Sequence, residues 1–241
     1  MPAAYVLHLQ TDRPPSPVQL RGWLYHMLTP YEPSLHEGNG PRAFSLASGQ
    51  EKPKIAWVRI AFLEDDLAQL AQTLFWENLK QALPLGKTRA KLLTVYEEAH
   101  PLSGRKSWDE LMQAPPTQDV QLRFLTPTLF KKGASHYPVP DPERILQSLI
   151  RSWNRFAPER LPEEHALGLL KKITARHISV HTKSLNAHTR TPGFLGWVTL
   201  HLPKATDEER RWLARLGELA FFSGVGAKTT LGFGLTEWKR T

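Results

Sequence analysis

Residues 221–234 read FFSGVGAKTTLGFG, a stretch with four glycines that separates two regular segments of the chain. The segment before it begins at Asp207 and places apolar side chains at helical spacing, at Trp212, Leu213, Leu216 and Leu219. The segment after it, 231–238, is predicted to be a strand. Gly224 is the expected helix C-cap, because glycine adopts a positive φ without a Cβ clash. The stretch is therefore predicted to turn the chain from a helix into a final strand.

The same stretch invites comparison with two phosphate-binding motifs. A P-loop needs a glycine directly before its lysine, where this chain has Ala227, and it joins a strand to a helix rather than a helix to a strand. The dinucleotide-binding motif fails because Thr229 stands where its third glycine belongs. What remains is a glycine-rich loop whose backbone N–H and hydroxyl groups suit phosphate contacts, or a turn that binds nothing. Its candidate phosphate-binding residues are Gly224, Gly226, Lys228, Thr229 and Thr230.

Outward from this loop, the two halves of the chain show the same order of elements. In the first half, strand patterns occupy 3–10, 43–47, 55–63 and 91–97, and helices follow Ser16-Pro17 and Glu64-Asp65-Asp66. In the second half, strand patterns occupy 120–125, 175–180, 196–202 and 231–238, and helices open at Asp141 and Asp207. Each half therefore predicts β-α-β-β-α-β, the ferredoxin-like order. We predict an α+β protein of two tandem ferredoxin-like (RRM-like) domains, 1–117 and 118–241.

Composition narrows the classes of protein that fit. The chain has 241 residues, 41% of them hydrophobic, which is enough for a packed core without cross-links. It has no cysteine, which excludes disulfides, thiol catalysis and cysteine-ligated metals. No apolar run approaches the roughly 18 residues of a membrane span, and the first residues do not resemble a signal peptide. We expect a cytoplasmic protein with no membrane partner.

Positive charge is concentrated in the second half. Residues 1–120 carry 12 basic and 13 acidic side chains, whereas residues 121–241 carry 19 and 10. The window 165–206 has six basic residues and no Asp or Glu, a pattern typical of a polyanion binder, although a solvated basic surface is the alternative. Its histidines lack acidic companions, so we predict no metal site. The candidate polyanion-binding side chains are Lys131, Lys132, Lys171, Lys172, Arg176, Lys183 and Arg190.

Four stretches together resemble one known family. SGVGAKTTLGFG at 223–234 is similar to the C-terminal glycine-rich loop of the CRISPR-associated endoribonucleases that cut repeat RNA, in the RAMP superfamily. LTPTLF at 125–130 and SWNRF at 152–156 resemble a strand end and a helix end of that family. Leu35-His36-Glu37, with Phe44-Ser45 downstream, is similar to the loop that carries its catalytic histidine. The resemblance covers both halves and implies the same tandem fold.

The resemblance also implies a mechanism without metal or other cofactor. The ribose 2′-OH attacks the adjacent phosphate and leaves a 2′,3′-cyclic phosphate and a 5′-OH. His36 is the implied proton-transfer group, since an unperturbed histidine has a pKa near 6.5. The family commonly adds a tyrosine from the first helix, here Tyr25, and a later lysine, here Arg42. That departure matters because arginine steadies phosphate but does not transfer protons. Arg21, one helical turn from Tyr25, completes the catalytic candidates.

Three functions follow from these observations. The leading one is a metal-independent endoribonuclease that cleaves CRISPR repeat RNA (pre-crRNA) to mature crRNA. The alternative is a non-cleaving RNA-binding subunit of a CRISPR effector complex, because the glycine-rich loop alone also marks members that do not cut. A general single-strand RNA-binding module is the third. Effector-complex subunits and a second copy of the chain are the further partners considered. Phe194, Trp197 and Tyr137 are the candidate base-stacking aromatics.

Overall fold

A computed structural model describes residues 1–36, 40–133 and 135–240, apart from the side chains of Ser34, His36 and Arg240. The first half contains β1 (Ala3–Thr11), α1 (Pro17–Leu28), a 3-10 helix (Pro33–His36), β2 (Phe44–Lys52), β3 (Ile55–Phe62), α2 (Asp65–Glu77), β4 (Ala82–Leu85), β5 (Thr88–Tyr96), β6 (Gly104–Arg105) and α3 (Trp108–Met112). The second half contains β7 (Asp119–Thr128), β8 (Phe130–Lys132), β9 (Ser135–Tyr137), α4 (Pro142–Phe156), α5 (Glu163–Lys172), β10 (Thr174–Asn186), β11 (Arg190–His201), α6 (Asp207–Ser223), a 3-10 helix (Thr229–Leu231) and β12 (Thr236–Arg240).

The first half forms an antiparallel sheet in the order β2-β3-β1-β5-β4, with β6 paired to β1. Alternate residues of β1, such as Tyr5 and Leu7, pack against Leu20 and Leu24 of α1 in one core. Helix α1 begins where the sequence predicts, because the side chain of Ser16 accepts a hydrogen bond from the Gln19 N–H in a capping box. The strand order follows the ferredoxin-like pattern, with β4 added at one edge.

The second half repeats this arrangement. Its sheet has the order β10-β11-β7-β12, and α4, α5 and α6 cover one face around a core that includes Trp153 and Trp212. Asp141 caps α4, and Thr206 caps α6. The equivalent strands therefore occupy equivalent places in the two sheets, which confirms the predicted tandem ferredoxin-like fold. The predicted domain boundary at residues 117 and 118 lies between α3 and β7 and stays a prediction.

Two differences from the sequence prediction have simple physical reasons. The segment 231–238 is not one strand, because Gly232 and Gly234 adopt positive φ angles of 87° and 73° and interrupt it. The strand β12 therefore begins only at Thr236. Six further elements are not predicted by the sequence patterns, because they are short or carry few buried residues: β4, β6, β8, β9, α3 and α5. Leu169 is the buried residue of α5. Among the described residues, no helix combines the length and apolar character needed to cross a membrane.

Candidate active site and RNA-binding cleft

A cleft of about 490 Å³ lies between the two halves of the chain. Six cationic side chains line it, and the described part of its wall contains no carboxylate. These cations come from both halves and are Arg21, Arg42, Lys131, Arg144, Arg151 and Lys228. Residues 40–42, the side of α4 and the start of the glycine-rich loop (residues 224–234) form its walls. The cleft therefore has the charge expected of a site for phosphate groups.

The glycine-rich loop requires glycine at two of its predicted positions. Gly224 has a φ of 64° and caps α6, with its N–H donating to the carbonyl oxygen of Ala220 at 3.1 Å. Gly226 has a φ of 90°, and a Cβ built there overlaps the carbonyl oxygen of Leu129. Any side chain at Gly226 would push the loop away from the end of β7. The predicted C-cap role of Gly224 is confirmed.

The first N–H groups of the loop are already used within the protein. Those of Val225, Gly226 and Ala227 donate to Gly234 O at 2.9 Å, Ser148 Oγ at 2.8 Å and Leu129 O at 2.8 Å, respectively. These bonds shape the loop and leave those donors unavailable to a ligand. The N–H groups of residues 228–230 have no hydrogen-bond partner in the described part of the chain. Lys228 is left-handed, with φ 62°, and is followed by a 3-10 turn, an arrangement in which successive N–H groups converge on an anion.

The first half contributes the predicted catalytic residues, and the structure brings two of them to the cleft. Arg21 and Arg42 both line it. Tyr25 is not among the described lining residues; its ring is half-buried in a T-shaped contact with Phe44 at 5.5 Å, and the Arg21 guanidinium lies 6.0 Å from its centroid. The backbone of His36 ends the 3-10 helix Pro33–His36, and its side chain lies outside the described part of the structure.

Two lysines and a histidine from the second half form a compact basic cluster. Burial lowers the pKa of Lys228, and the nearby Lys131 lowers it further. The pKa of His136 is also lowered, by burial and then by Lys228 and Lys131. Burial is the larger cause of both pKa shifts, and the like charges of the cluster add a smaller effect, which a bound phosphate would relieve. Lys132 is exposed beside them, with its Nζ 5.9 Å from the centroid of the Tyr137 ring.

Residues 165–206 contain no Asp or Glu, but two of their basic side chains contact acidic residues from other parts of the chain. Lys172 Nζ donates to both carboxylate oxygens of Glu209, at 2.6 and 2.8 Å. Arg176 forms an ion pair with Asp119 at 3.3 Å. The structure thus gives Lys172 a structural partner, and its predicted RNA contact would compete with that bond. Lys171, Lys183 and Arg190 are exposed, as predicted for RNA-binding side chains.

The hairpin of β10 and β11 reaches across to the first half. Its tip packs Leu185 and Ala187 beside Val18, next to Leu231 of the glycine-rich loop. His188 Nε2 lies 3.5 Å from Arg21 Nη2. The tip of the hairpin therefore lies beside Arg21, one of the cleft residues.

Helix α4 contributes cleft residues that the sequence analysis missed. Arg144, Gln147, Ser148 and Arg151 line the cleft. Their helical spacing places them on one polar face, opposite the buried Ile145, Leu146, Leu149 and Trp153. That polar face was the available signal, but a polar helix face is ordinarily solvated, so spacing alone did not indicate a site.

The candidate base-stacking aromatics have different fates. Phe194 is buried against Phe124, with ring centroids 4.8 Å apart, so it is a core residue and cannot stack on a base. Trp197 is half-exposed on the open face of the second sheet, between the cations of Arg123 and Lys239. The guanidinium of Arg144 lies 5.0 Å from the centroid of the Tyr137 ring. In the described residues, no group of three or more histidine or acidic side chains is arranged to hold a metal ion.

Two ferredoxin-like units in tandem, with a glycine-rich loop and a cationic cleft between them, define the class of fold to which this chain belongs. The fold matches that of "An RAMP protein binding different RNA substrates", with a TM-score of 0.62 at 12% identity. The family model described as CRISPR-associated endoribonuclease Cas6 matches residues 122–236. A product complex of Cas6 (TTHA0078) is 37% identical over 99% of both chains, with a TM-score of 0.93. The chain belongs to the Cas6 family of CRISPR-associated endoribonucleases.

Further relatives agree with this assignment. A product complex of Cas6 (TTHB231), from Thermus thermophilus, has a TM-score of 0.91 and 32% identity over 99% of both chains. Cas6 of Streptococcus thermophilus is 27% identical over 226 residues, which cover 90% of this chain and 88% of that protein. Cas6 of Mycobacterium tuberculosis is 28% identical over 123 residues, and this match covers only 38% of that relative's length.

Proposed function

We propose that this chain cleaves CRISPR repeat RNA within the cleft, without a metal ion, and so matures crRNA. The observation that carries the proposal is the meeting of Arg21 and Arg42 from one domain with the glycine-rich loop of the other, in a cleft without carboxylates among its described residues. The relatives add support, since structures of Cas6 (TTHA0078) are described as a product complex and a substrate mimic complex.

The proposed reaction needs a proton acceptor, a proton donor and a cation. His36 takes the proton of the ribose 2′-OH, whose oxygen then attacks the adjacent phosphorus. The bond from phosphorus to the 5′-oxygen breaks, the protonated imidazole of His36 gives its proton to that oxygen, and a 2′,3′-cyclic phosphate remains. Arg21 and Arg42 stabilise the charge that develops on the phosphoryl oxygens, because a guanidinium stays protonated and binds two oxygens at once. A histidine-to-alanine mutant of Cas6 (TTHA0078) is among the similar structures and supports attention to this residue type.

Recognition of the RNA is proposed to rest on its backbone. A-form stems offer phosphates and 2′-hydroxyls more readily than base edges, so exposed cations are the expected contacts. Lys131, Arg151 and Lys228 hold the phosphates at the cleft, together with the unused N–H groups of residues 228–230. Lys132, Lys171, Lys183 and Arg190 extend the basic surface outward. Binding to effector subunits and formation of a homodimer stay predictions.

One experiment tests the reaction. End-labelled repeat RNA is incubated with the protein in excess EDTA, beside a matched RNA with a 2′-deoxyribose just before the cleavage position. We expect one cut in the first RNA, with a 5′-OH and a cyclic phosphate at the ends, and no cut in the second, which still binds. Loss of cleavage in EDTA would contradict the metal-free mechanism. Tight binding without any cut favours the non-cleaving RNA-binding subunit instead.

A further inference from the structure

A buried arginine joins the two domains beneath the cleft. Arg59 of β3 is only 1% exposed. Its Nε donates to the carbonyl oxygen of Leu102 at 2.9 Å, and its Nη2 donates to the carbonyl oxygen of Phe221 in the other domain. The guanidinium also lies 4.6 Å from the centroid of the Phe221 ring. A buried charge is costly unless it is paired, so these contacts hold Arg59 and Phe221 together.

A second hydrogen bond runs beside the first. Ser45 Oγ donates to the carbonyl oxygen of Phe222 at 2.8 Å and lies 3.5 Å from Arg59 Nη1. Phe221 and Phe222 belong to the last turn of α6, where carbonyl oxygens lack partners within the helix and carry the negative end of its dipole. The positive charge of Arg59 therefore lies next to the partial negative charge at the C-terminal end of α6, which is a favourable arrangement. Burial lowers its pKa to about 9, which still leaves it protonated at neutral pH.

The place of these bonds in the chain connects them to the site. Phe222 is two residues before Gly224, where the glycine-rich loop begins, and Ser45 is three residues after Arg42. The bonds therefore tie the base of one cleft wall to the base of the other. Hydrogen bonds to Leu129, Gly234 and Ser148 anchor the loop within its own domain, and apolar contacts place Leu231 and Phe233 beside Val18 of the first domain.

We propose that Arg59 is a positioning residue, which sets the glycine-rich loop at the correct distance from Arg42. The inference rests on the proposed cleavage, since it assigns no contact with RNA to Arg59 itself. Catalysis depends steeply on such distances, because a displacement of about 1 Å remote from the chemistry can cost about 10²-fold in rate. Binding of the RNA depends on many exposed phosphate contacts and is far less sensitive to it.

The test compares Arg59→Met with a matched control, Arg215→Met. Arg215 is also buried, at 7% exposure; its Nε donates to the carbonyl oxygen of Met112 at 3.0 Å, and it lies 4.5 Å from the ring centroid of Trp212. Arg215 is itself part of α6, more than two helical turns before Gly224, and it also forms an ion pair with Glu208 at 3.2 Å. We expect Arg59→Met to slow single-turnover cleavage about 10²-fold with nearly unchanged RNA affinity. Arg215→Met should cleave at the wild-type rate below its melting temperature, and Arg59→Lys should restore part of the lost rate.

Hydrogen exchange of the peptide 221–234 provides a readout independent of cleavage. We expect faster exchange in Arg59→Met and in the milder variant Ser45→Ala, and wild-type exchange in Arg215→Met. If Arg59→Met does not fold, Ser45→Ala decides the question. Wild-type rate and wild-type exchange in the Arg59 and Ser45 variants would overturn the proposal, as would equal slowing by Arg215→Met. A wild-type protein that cuts no repeat RNA would defeat the proposed function, while the exchange measurements would still test the positioning of the loop.

Discussion

His36 and Arg42 are expected to have different roles in the proposed cleavage, proton transfer for His36 and stabilisation of the phosphate for Arg42. An imidazole that is neutral near pH 7 moves a proton but adds little attraction for phosphate. A guanidinium does the reverse, because its charge acts on the bound RNA and on the transition state alike. Replacing each residue should therefore change rate and affinity in different proportions.

Replacement of His36 by alanine should lower the single-turnover rate by roughly 10²–10⁴, the usual contribution of a positioned acid or base. RNA affinity should stay close to that of the wild type. Arg42→Ala should slow cleavage and weaken binding together. The measurement is single-turnover cleavage at saturating enzyme beside a binding curve for each variant, with His26→Ala on the exposed face of α1 as the control. Cleavage by His36→Ala at the wild-type rate would remove the assignment.

Glu209 makes the stability of the fold depend on pH. Burial acts to raise its pKa, but hydrogen bonds from Lys172 and from Thr206 outweigh that effect, so the pKa lies below the ordinary value of 4.5. A carboxyl with a lowered pKa stabilises the folded state above the unfolded pKa, and this contribution disappears as pH falls through the folded pKa. Glu209→Gln should thus be less stable than the wild type at pH 7. Melting temperatures measured from pH 7 downward should converge; a constant difference would contradict this.

At the scale of elements, the helix α5 presents two adjacent lysines with different surroundings. Lys171 is exposed, whereas Lys172 is bonded to Glu209 of α6. Lys171→Ala should lessen the slope of log K against log salt for RNA binding by about 0.7–0.9, one phosphate contact. Lys172→Ala should lower the melting temperature and leave that slope nearly unchanged. Salt titrations and thermal melts of both variants test the difference, and a lessened slope for Lys172→Ala alone would refute it.

The glycine-rich loop is shaped by close backbone approaches as well as by its turns. Gly226→Ala places a Cβ against the carbonyl oxygen of Leu129, at a φ of 90°. We expect cleavage to fall by at least about 10-fold, because the loop must shift. Gly133→Ala is the matched control, since Gly133 also has a positive φ, 61°, with no atom within 4 Å of an added Cβ. If cleavage falls by a similar factor in both variants, the loss in Gly226→Ala is caused by backbone strain and not by the contact with Leu129.

At the scale of the whole molecule, RNA affinity should depend on the cationic side chains of the cleft rather than on the net charge of the protein. Lys131 of β8 and Arg151 of α4 both line the cleft. Replacement of either residue by alanine should reduce the salt dependence of RNA binding. Lys204 is equally exposed but precedes α6, a helix of 17 residues and therefore about 25 Å long, at the end away from the loop. Lys204→Ala should leave the salt slope unchanged. An equal effect of all three substitutions would indicate a diffuse basic surface instead.

Local patterns in the sequence were sufficient for the fold. The Ser16 cap, the Asp141 cap, the turn at Gly224 and the repeated order of strands and helices are decided by residues near one another in the chain. Periodicity and capping involve residues within one or two helical turns of one another, so both can be recognised from the sequence alone. The predicted strand 231–238 was wrong, because nothing in the sequence indicates whether a glycine extends a strand or interrupts it.

The sequence by itself determined the tandem ferredoxin-like fold, the glycine-rich turn and the concentration of positive charge in the second half. Only the tertiary structure decided which cations are available, because Lys172 meets Glu209 and Arg176 meets Asp119 across long separations in the chain. It also placed the polar face of α4 in the cleft and buried Arg59 between the domains. The physical reason is that backbone conformation responds mainly to neighbouring residues. The partners of a charged side chain are set instead by how distant elements pack.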